Sequence, residues 1–496
     1  MARNIQLMSG PMVRKFLAIL LPLILAQPPM AEAQVALPNV RLPNVPGSGL
    51  PVTGLPLNGD RTLSGLSNDL DPRRLSDLRR LHLVDLVRKN PKEIERDPNG
   101  APILRGEVVV FSPSDAALEK ARAAGFMVVR ERVLEGLDAR VVVLKVPDGT
   151  ATRRALSRLR GLDPEGAYDF NHLYTESGEV GAAGVGVGAA QGAGSRVMGS
   201  RGAGGDLRLA LRAGQDASAG PGAGRGSGDA TGLGVGANAG VGAKVGLIDG
   251  GVDTSHDVFR DIVIHQHGCS GAPVPGAHGT AVASLMIGRS PRFHGAAPGS
   301  ELYAADVYCG LPTGGAVDAV AEAFSWLVRE HAPVINVSLV GPPNVMLENV
   351  VRMVIARGYL VVAAVGNDGP AAPPLYPASY PDVVGVTAVD ARQRALLEAC
   401  RGRQVKFAAP GADMSAANPA QSFAAVRGTS FASPIVAGLL AEVVREPDKA
   451  AAQRAVADLA ARAVDLGAPG PDPVYGFGLV GGDLHPEIAL VGSRSN

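Results

Sequence analysis

The chain is poor in three things: net charge, cysteine and long apolar runs. Its 47 Lys and Arg residues balance 47 Asp and Glu residues, so no overall positive field attracts nucleic acid. With only 3 cysteines, any intramolecular disulfide leaves one thiol over. Beyond Ala33, no segment reaches the roughly 18 uninterrupted apolar residues of a membrane-spanning helix. These deficits argue against a nucleic-acid partner and an internal membrane anchor.

The first residues have the pattern of an export signal. Arg3, Arg14 and Lys15 precede the apolar run FLAILLPLILA, and the small residues AEA follow a few positions later. This three-part pattern predicts a signal peptide over residues 1–33, with an uncleaved anchor as the alternative. We therefore expect a secreted or periplasmic protein that has no stable membrane insertion after signal cleavage.

Export makes a disulfide permissible, because the compartments outside the cytosol are oxidising. Cys269 with Cys309 is our first choice of pair, which would leave Cys400 free. Three ordinary buried thiols are the alternative.

Two segments precede a glycine-rich tract. Residues 34–65 are rich in Pro and Gly and lack periodicity, which predicts an extended spacer. Within residues 66–175, PILRGEVVVF, FMVVRERV and ARVVVLKVP predict strands, whereas SDAALEKARAAG and TATRRALSRLRG predict helices. The order strand, helix, strand, strand, helix predicts a small ferredoxin-like α+β domain.

Glycine and alanine dominate residues 176–243. So much glycine offers little apolar surface to bury, which predicts a flexible, cleavable linker. A glycine-cradled phosphate site is the alternative, but no strand leads into the tract and no Lys-Ser/Thr follows its glycines.

Residues 244–485 have the pattern of an α/β domain. The apolar strands KVGLID, PVINVSL, YLVVAAV and DVVGVTA alternate with the helical stretches GAVDAVAEAFSWLVREH and NVMLENVVRMVIARG. Strands that are apolar on both sides and separated by helices predict a parallel sheet with helices on both faces.

Three polar residues stand at the ends of these elements, each with glycine nearby. Asp249 ends KVGLID, His278 begins HGTAVASLMIG, and Ser430 begins the helical stretch SFASPIVAG. Ser430 alone would fit a helix cap. However, the chain order Asp, His, Ser is also one known order of orienting carboxylate, base and nucleophile.

The residues LIDGGVD, HGTAVAS and GTSFASPIVAG resemble the three signature blocks of subtilisin-like serine proteases, the subtilases or peptidase family S8. The resemblance implies that Ser430 is the nucleophile, His278 the general base and acid, and Asp249 the carboxylate that orients the imidazole. Asp253 does not match the catalytic position, because the family residue directly ends the strand. The resemblance also implies a subtilisin-like fold preceded by a propeptide domain.

Asn367, in VAAVGNDGP, matches the asparagine that subtilases use to stabilise the oxyanion. Without the other blocks, Asn-Asp-Gly would read as a turn. The segment containing Ser338, Leu339 and Val340 resembles the strand that pairs with substrate. Leu375 stands where a glycine often floors the pocket for the residue before the cleaved bond.

Branched residues at Val340 and Leu375 predict that this pocket admits Ala, Val or Leu and excludes Phe and Tyr. No acidic residue occurs in either segment, which argues against selection of Lys or Arg in this pocket. The alternative is that Leu375 packs into the core.

The resemblance implies a serine endopeptidase that acts on proteins or peptides and is made as an autoprocessed precursor. It also implies that the propeptide inhibits the enzyme by placing its C-terminal tail, DFNHLYTESG, in the active-site cleft, with maturation at or beyond this tail. We expect no cofactor and no metal: HQHGC makes a poor tetrahedral zinc site, and the loop after the His278 helix lacks Asp and Asn for calcium. A catalytically silent subtilase-fold binding protein is the alternative. A structural protein built around the glycine tract is a poorer one.

Overall fold

The structure is a computed structural model that describes residues 72–181 and 243–486. The predicted signal peptide, the spacer and most of the predicted linker lie outside the described residues. All described residues belong to one compact unit.

The N-terminal domain, residues 72–172, contains three helices and five strands. They are α1 (Pro72–Lys89), β1 (Ile94–Arg96), β2 (Pro102–Phe111), α2 (Asp115–Ala123), β3 (Met127–Leu134), β4 (Ala139–Lys145), α3 (Thr152–Leu162) and β5 (Ala167–His172). β5, β2, β4 and β3 lie side by side in that order and are antiparallel, with β1 continuing beside β2. This is the strand order of a ferredoxin-like unit.

The tail, Leu173–Gly181, follows β5 and contains β6 (Thr175–Glu176) and β7 (Glu179–Val180). Its residues from 176 onward fall within the sequence range predicted as linker. They nevertheless form strand pairs with the C-terminal domain, as described below.

The C-terminal domain, residues 243–486, contains five helices and twelve strands in the part of the chain that is described. They are β8 (Lys244–Asp249), β9 (Ile264–Gly268), α4 (Ala277–Ile287), β10 (Arg289–Ser290), β11 (Phe293–His294), β12 (Glu301–Asp306), α5 (Val317–Arg329), β13 (Val334–Val337), β14 (Leu339–Val340), α6 (Val345–Ala356), β15 (Leu360–Ala364), β16 (Val384–Val389), β17 (Val405–Pro410), β18 (Met414–Asn418), β19 (Ser422–Arg427), α7 (Thr429–Ala441) and α8 (Lys449–Arg462).

Seven of these strands form one parallel sheet in the order β17, β16, β15, β13, β8, β12, β9. The predicted α/β class is confirmed, and β8 has the predicted bounds, Lys244–Asp249. One apolar core packs α4 and α7 against one face of the sheet, and a second packs α5 and α6 against the other. The buried strands are apolar on both sides because both faces are covered.

The N-terminal domain packs on α5 and α6. Val109, Val141 and Val143 from its sheet share an apolar core with Phe324 and Leu347. Burial of such side chains stabilises the contact by about 25 cal/mol per Å² of apolar surface.

An ion cluster joins the two domains beside this core. The Asp318 side chain, at 1% exposure, accepts from Arg132 Nε at 2.8 Å and Arg130 Nε at 3.0 Å. Asn171 Nδ2 donates to its other oxygen at 3.0 Å. The two guanidinium groups outweigh burial and lower the pKa of Asp318, so it stays ionised at the interface.

Cys269 and Cys309 form a disulfide, the pair that we preferred from the sequence. Cys400 is free and buried, and burial followed by the nearby charge of Asp368 raises the pKa of its thiol to about 12. Among the described residues, no helix has the length and apolar character that crossing a membrane requires.

Candidate active site

Asp249 and His278 meet at the carboxyl end of the parallel sheet. β8 ends at Asp249, and His278 is the second residue of α4. His278 Nδ1 lies 2.9 Å and 3.0 Å from the two Asp249 carboxylate oxygens, and both side chains are buried. The carboxylate thereby fixes the ring, so that Nε2 points away from it. Among the described residues, Nε2 has no hydrogen-bond partner.

Ser430 is the second residue of α7 and is also buried. Its Oγ donates to Ser338 O at 3.0 Å and lies 2.7 Å from Ser177 Oγ. The hydroxyl does not accept from the amides of its own helix, so it does not act as a cap. The structure therefore places Asp249, His278 and Ser430 at one end of the sheet, with the hydroxyl directed at neighbours other than the imidazole.

The tail crosses this site as an added strand. In antiparallel register, Glu176 pairs with Leu339 and Thr175 with Val340. On its other side, Tyr174 N donates to Gly315 O at 2.8 Å. The tail thus lies between two segments of the C-terminal domain, a mode of recognition in which backbone hydrogen bonds align the peptide.

The Ser177 carbonyl oxygen receives two donors. Asn367 Nδ2 donates to it, and Ser430 N donates to it at 3.4 Å. Asn367 Oδ1 in turn accepts from Thr429 N at 3.1 Å, which holds the amide with its nitrogen toward the tail. Donors that converge on a carbonyl oxygen beside a hydroxyl can stabilise the negative charge formed when that hydroxyl attacks.

The tail continues past Ser177 into a second pairing. Glu179 pairs with Arg427 and Val180 with Val426 of β19. Between the two pairings, Gly178 passes Phe431 so closely that a Cβ would lie 2.6 Å from the ring. The peptide bond between Ser177 and Gly178 is therefore held on both sides, next to Ser430.

Tyr174 anchors the start of the tail. Its side chain is fully buried, and its hydroxyl donates to Pro342 O at 2.7 Å. The ring lies against Gly341, where a Cβ would be 2.6 Å from Tyr174 Cδ1. A glycine at this position makes room for a large side chain three residues before Ser177.

The tail also changes the electrostatics of the site. Burial lowers the pKa of His278, but the charges of Asp249 and Glu176 outweigh it and raise the pKa to about 9. The pKa of Glu176 is also raised, mainly because surrounding protein atoms displace water from its carboxylate. The charge of His278 lowers this pKa, whereas the charge of Asp249 raises it further. With the tail in place, these carboxylates favour the cationic form of the imidazole, which must lose a proton before it can act as a base.

The residues assigned to substrate binding take different places. Ser338 turns its side chain under α7, where Oγ donates to Ser430 O at 3.1 Å, while Leu339 and Val340 supply backbone to the tail. Leu375 is buried directly beneath Gly366, where a Cβ would overlap its Cδ1. It thus packs in the core just before the Asn367 turn.

The histidines of HQHGC do not converge. His265 contacts Glu301 at 2.8 Å and stacks on Tyr303, whereas His267 contacts Glu322 at 2.6 Å and stacks on Trp326. Each imidazole has its own carboxylate partner and its own ring.

The sequence did not predict the roles of three residues of the site. Glu176 lies near His278, and Arg79 forms an ion pair with Asp368. Arg79 belongs to α1, whose helical spacing of Leu83, Leu86 and Val87 is visible in the sequence. The pairing of residues so distant along the chain has no local signal.

Comparison with known proteins agrees with this architecture. The family model described as the subtilase family matches residues 240–478. M-protease from Shouchella clausii (strain KSM-K16) is 37% identical over 169 residues, which are 34% of this chain and 44% of that protein. The chain thus spans less than half of M-protease.

Two further relatives match over a larger share of both chains than M-protease does. Subtilisin from Bacillus pumilus is 34% identical over 212 residues, which are 40% of this chain and 75% of that protein. The crystal structure of fervidolysin from Fervidobacterium pennivorans, a keratinolytic enzyme related to subtilisin, shares the fold with a TM-score of 0.58 at 20% identity, covering 81% of this chain and 62% of that one. With three quarters of a subtilisin matched, the chain belongs to the subtilase family.

Proposed function

We propose that this chain is the precursor of a serine endopeptidase that cuts its own backbone between Ser177 and Gly178. One observation carries the proposal: the Ser177 carbonyl oxygen accepts from Asn367 Nδ2 and Ser430 N, while Ser430 Oγ lies 2.7 Å from the hydroxyl of the same residue. A bound peptide whose carbonyl meets two donors next to a hydroxyl is arranged for acyl transfer.

Each reacting residue has one role in this proposal. Ser430 Oγ attacks the Ser177 carbonyl carbon while neutral His278 accepts its proton at Nε2. The resulting oxyanion is stabilised by Asn367, and the bond to Gly178 then breaks as His278 returns the proton to the leaving amine. Asp249 holds the imidazole tautomer and stabilises its cation. Water then hydrolyses the ester and restores Ser430.

We further propose that the N-terminal domain and tail are an intramolecular inhibitor. The tail fills the cleft by pairing with β14 and β19, and the domain covers α5 and α6. Substrates are then protein or peptide segments that replace the tail as an added strand. The basic and apolar opening of the sequence supports export, to the periplasm or beyond.

Incubation of purified full-length protein should produce a C-terminal fragment that begins with Gly178. The Ser177–Gly178 bond is expected to be cut because its carbonyl oxygen accepts from Asn367 Nδ2 and Ser430 N. N-terminal sequencing and intact mass of the fragment check the result, with a sample kept with an organophosphonate as control. A first cut beyond Gly181 would show that the bound carbonyl is not the one attacked.

Leu375→Gly should allow larger side chains before the cleaved bond. Two observations support this proposal: the bound residue there is the small Ser177, and Leu375, although it packs in the core, lies against Gly366, the residue before Asn367. Because one misfit methylene costs about 1–3 kcal/mol, wild type should disfavour Phe by up to about a hundredfold. Mass spectrometry of a cleaved peptide library measures the preference. A strong wild-type preference for aromatic residues would show that Leu375 only packs the core.

A further inference from the structure

An arginine of the N-terminal domain lies across the cleft that holds the tail. Arg79 Nη1 is 2.6 Å from Asp368 Oδ2, and Nη2 is 3.3 Å from both Thr175 Oγ1 and Val340 O. The Arg79 and Asp368 side chains are only 19% and 16% exposed, so this ion pair is shielded from water more than an ordinary surface pair. The guanidinium thus joins both walls of the cleft above the tail.

The Arg79 guanidinium lies on the side of the bound tail to which the Thr175 side chain points. Successive side chains of a strand point to opposite faces. Tyr174 and Glu176 face the buried pocket and His278, respectively, so Thr175 and Ser177 share the other face. Asp368 lies on the side of Thr175, because Arg79 contacts both Thr175 Oγ1 and the Asp368 carboxylate.

Arg79 is the cation that pairs with Asp368. Arg427, another arginine lining the cleft, is already paired with Glu398, because its Nε lies 2.6 Å from Glu398 Oε1. Among the described residues, Asp368 Oδ1 has no hydrogen-bond partner, so the carboxylate has capacity for a further donor. When the N-terminal domain leaves, Arg79 leaves with it, and the Asp368 carboxylate stays beside the cleft without this cation.

A longer side chain at the position of Thr175 would reach this carboxylate. Thr175 Oγ1, one bond beyond Cβ, already lies 3.3 Å from the guanidinium that binds Asp368. Lys and Arg extend several atoms further and end in donors that suit a carboxylate. Arg79 therefore occupies the place that a substrate's own basic side chain could take.

We infer that Asp368 selects substrates with Lys or Arg two residues before the residue whose carbonyl is attacked. This inference rests on the proposed function and names a substrate class for the same site. It concerns a different position from that of Ser177, for which we proposed a preference for small side chains. The preferred substrate thus combines a basic residue, any residue and a small residue before the cut.

The test uses full-length protein incubated until the precursor has disappeared, and peptides that copy Tyr174 to Glu179. The Thr175 position is varied to Arg, Lys, Thr or citrulline, which is an uncharged arginine isostere. The Arg and Lys peptides should have kcat/KM values about tenfold above the citrulline and Thr peptides at low salt. The advantage should shrink at high salt, because the interaction is between charges.

Asp368→Asn should abolish the preference for the Arg peptide over the citrulline peptide, and Asp368→Lys should invert it, so that the citrulline peptide is cleaved faster than the Arg peptide. Asp458→Asn, which removes the same charge from the exposed face of α8, should leave the ratio as in wild type. A further peptide carries Arg in place of Ser177, to separate the two positions.

Equal cleavage of all four peptides by wild type would overturn the inference while leaving the proposed function intact, as would a basic preference only at the Ser177 position. If Asp368→Asn still preferred the Arg peptide over the citrulline peptide, a group other than Asp368 would recognise the basic side chain, and the inference would be overturned. Failure to cleave any peptide, including the unvaried tail sequence, would overturn the proposed function and this inference with it.

Discussion

Ser430→Ala is expected to abolish peptide hydrolysis and leave the precursor uncut. The nucleophile, base and carboxylate act as one unit, so removal of the hydroxyl should cost on the order of a millionfold in rate. Wild type and variant are compared by gel and intact mass after incubation, and by reaction with an organophosphonate. The tail should stay bound in the variant, because its pairing with β14 and β19 does not involve the hydroxyl.

Ser284→Ala is the matched control for this experiment. Ser284 is also a buried helical serine, but its hydroxyl donates to Ala281 O at 2.8 Å and accepts from Ala417 N at 3.0 Å. Its loss should lower stability by about 1 kcal/mol and leave self-cleavage in place. Equal processing in wild type and Ser430→Ala would mean that another protease makes the cut, and would favour a catalytically silent binding protein.

Asn367→Ala should lower kcat by about a hundredfold or more with little change in KM. Its Nδ2 contacts the Ser177 carbonyl oxygen, and this contact should strengthen when that oxygen becomes negative. Steady-state kinetics on the tail peptide separate the two parameters. A rise in KM with unchanged kcat would indicate that the Asn-Asp-Gly segment is only a structural turn.

Asn367→Asp supplies the contrast for this variant. Asn367 Oδ1 also accepts from Thr429 N at 3.1 Å, so alanine removes a contact at the start of α7 along with the donor. Aspartate keeps that acceptor but places a negative charge next to the oxyanion. We therefore expect Asn367→Asp to lose more kcat than Asn367→Ala while unfolding at a temperature closer to wild type.

Much of the architecture could be predicted because its signals are local. β8 has its predicted bounds since a continuous apolar run is followed directly by Asp249 and two glycines. The same holds for Ser430, whose position at a helix start is visible in the sequence. β18 and β19 were not predicted, since their pairing with each other and with the tail is a tertiary feature.

The remainder of the site depends on residues that meet only in the folded chain. The range of the predicted linker began at Glu176, because glycine becomes frequent soon afterwards. No local pattern indicates that Glu176 raises the pKa of His278, or that Arg79 faces Asp368. Charged pairs of this kind are set by the docking of one domain on another, so residue types and spacing do not reveal them.

The pairing of β7 with β19 has a consequence for the chemistry of the proposed cut. Val180 and Glu179 are held by Val426 and Arg427, so the new amine of Gly178 stays next to the ester that links Ser177 to Ser430. Held there at high effective concentration, this amine competes with water for the ester and can remake the peptide bond by aminolysis. Cleaved and intact chains would then interconvert as long as β7 stays paired with β19. Dissociation of β7 from β19, rather than cleavage of the peptide bond, would therefore make maturation irreversible.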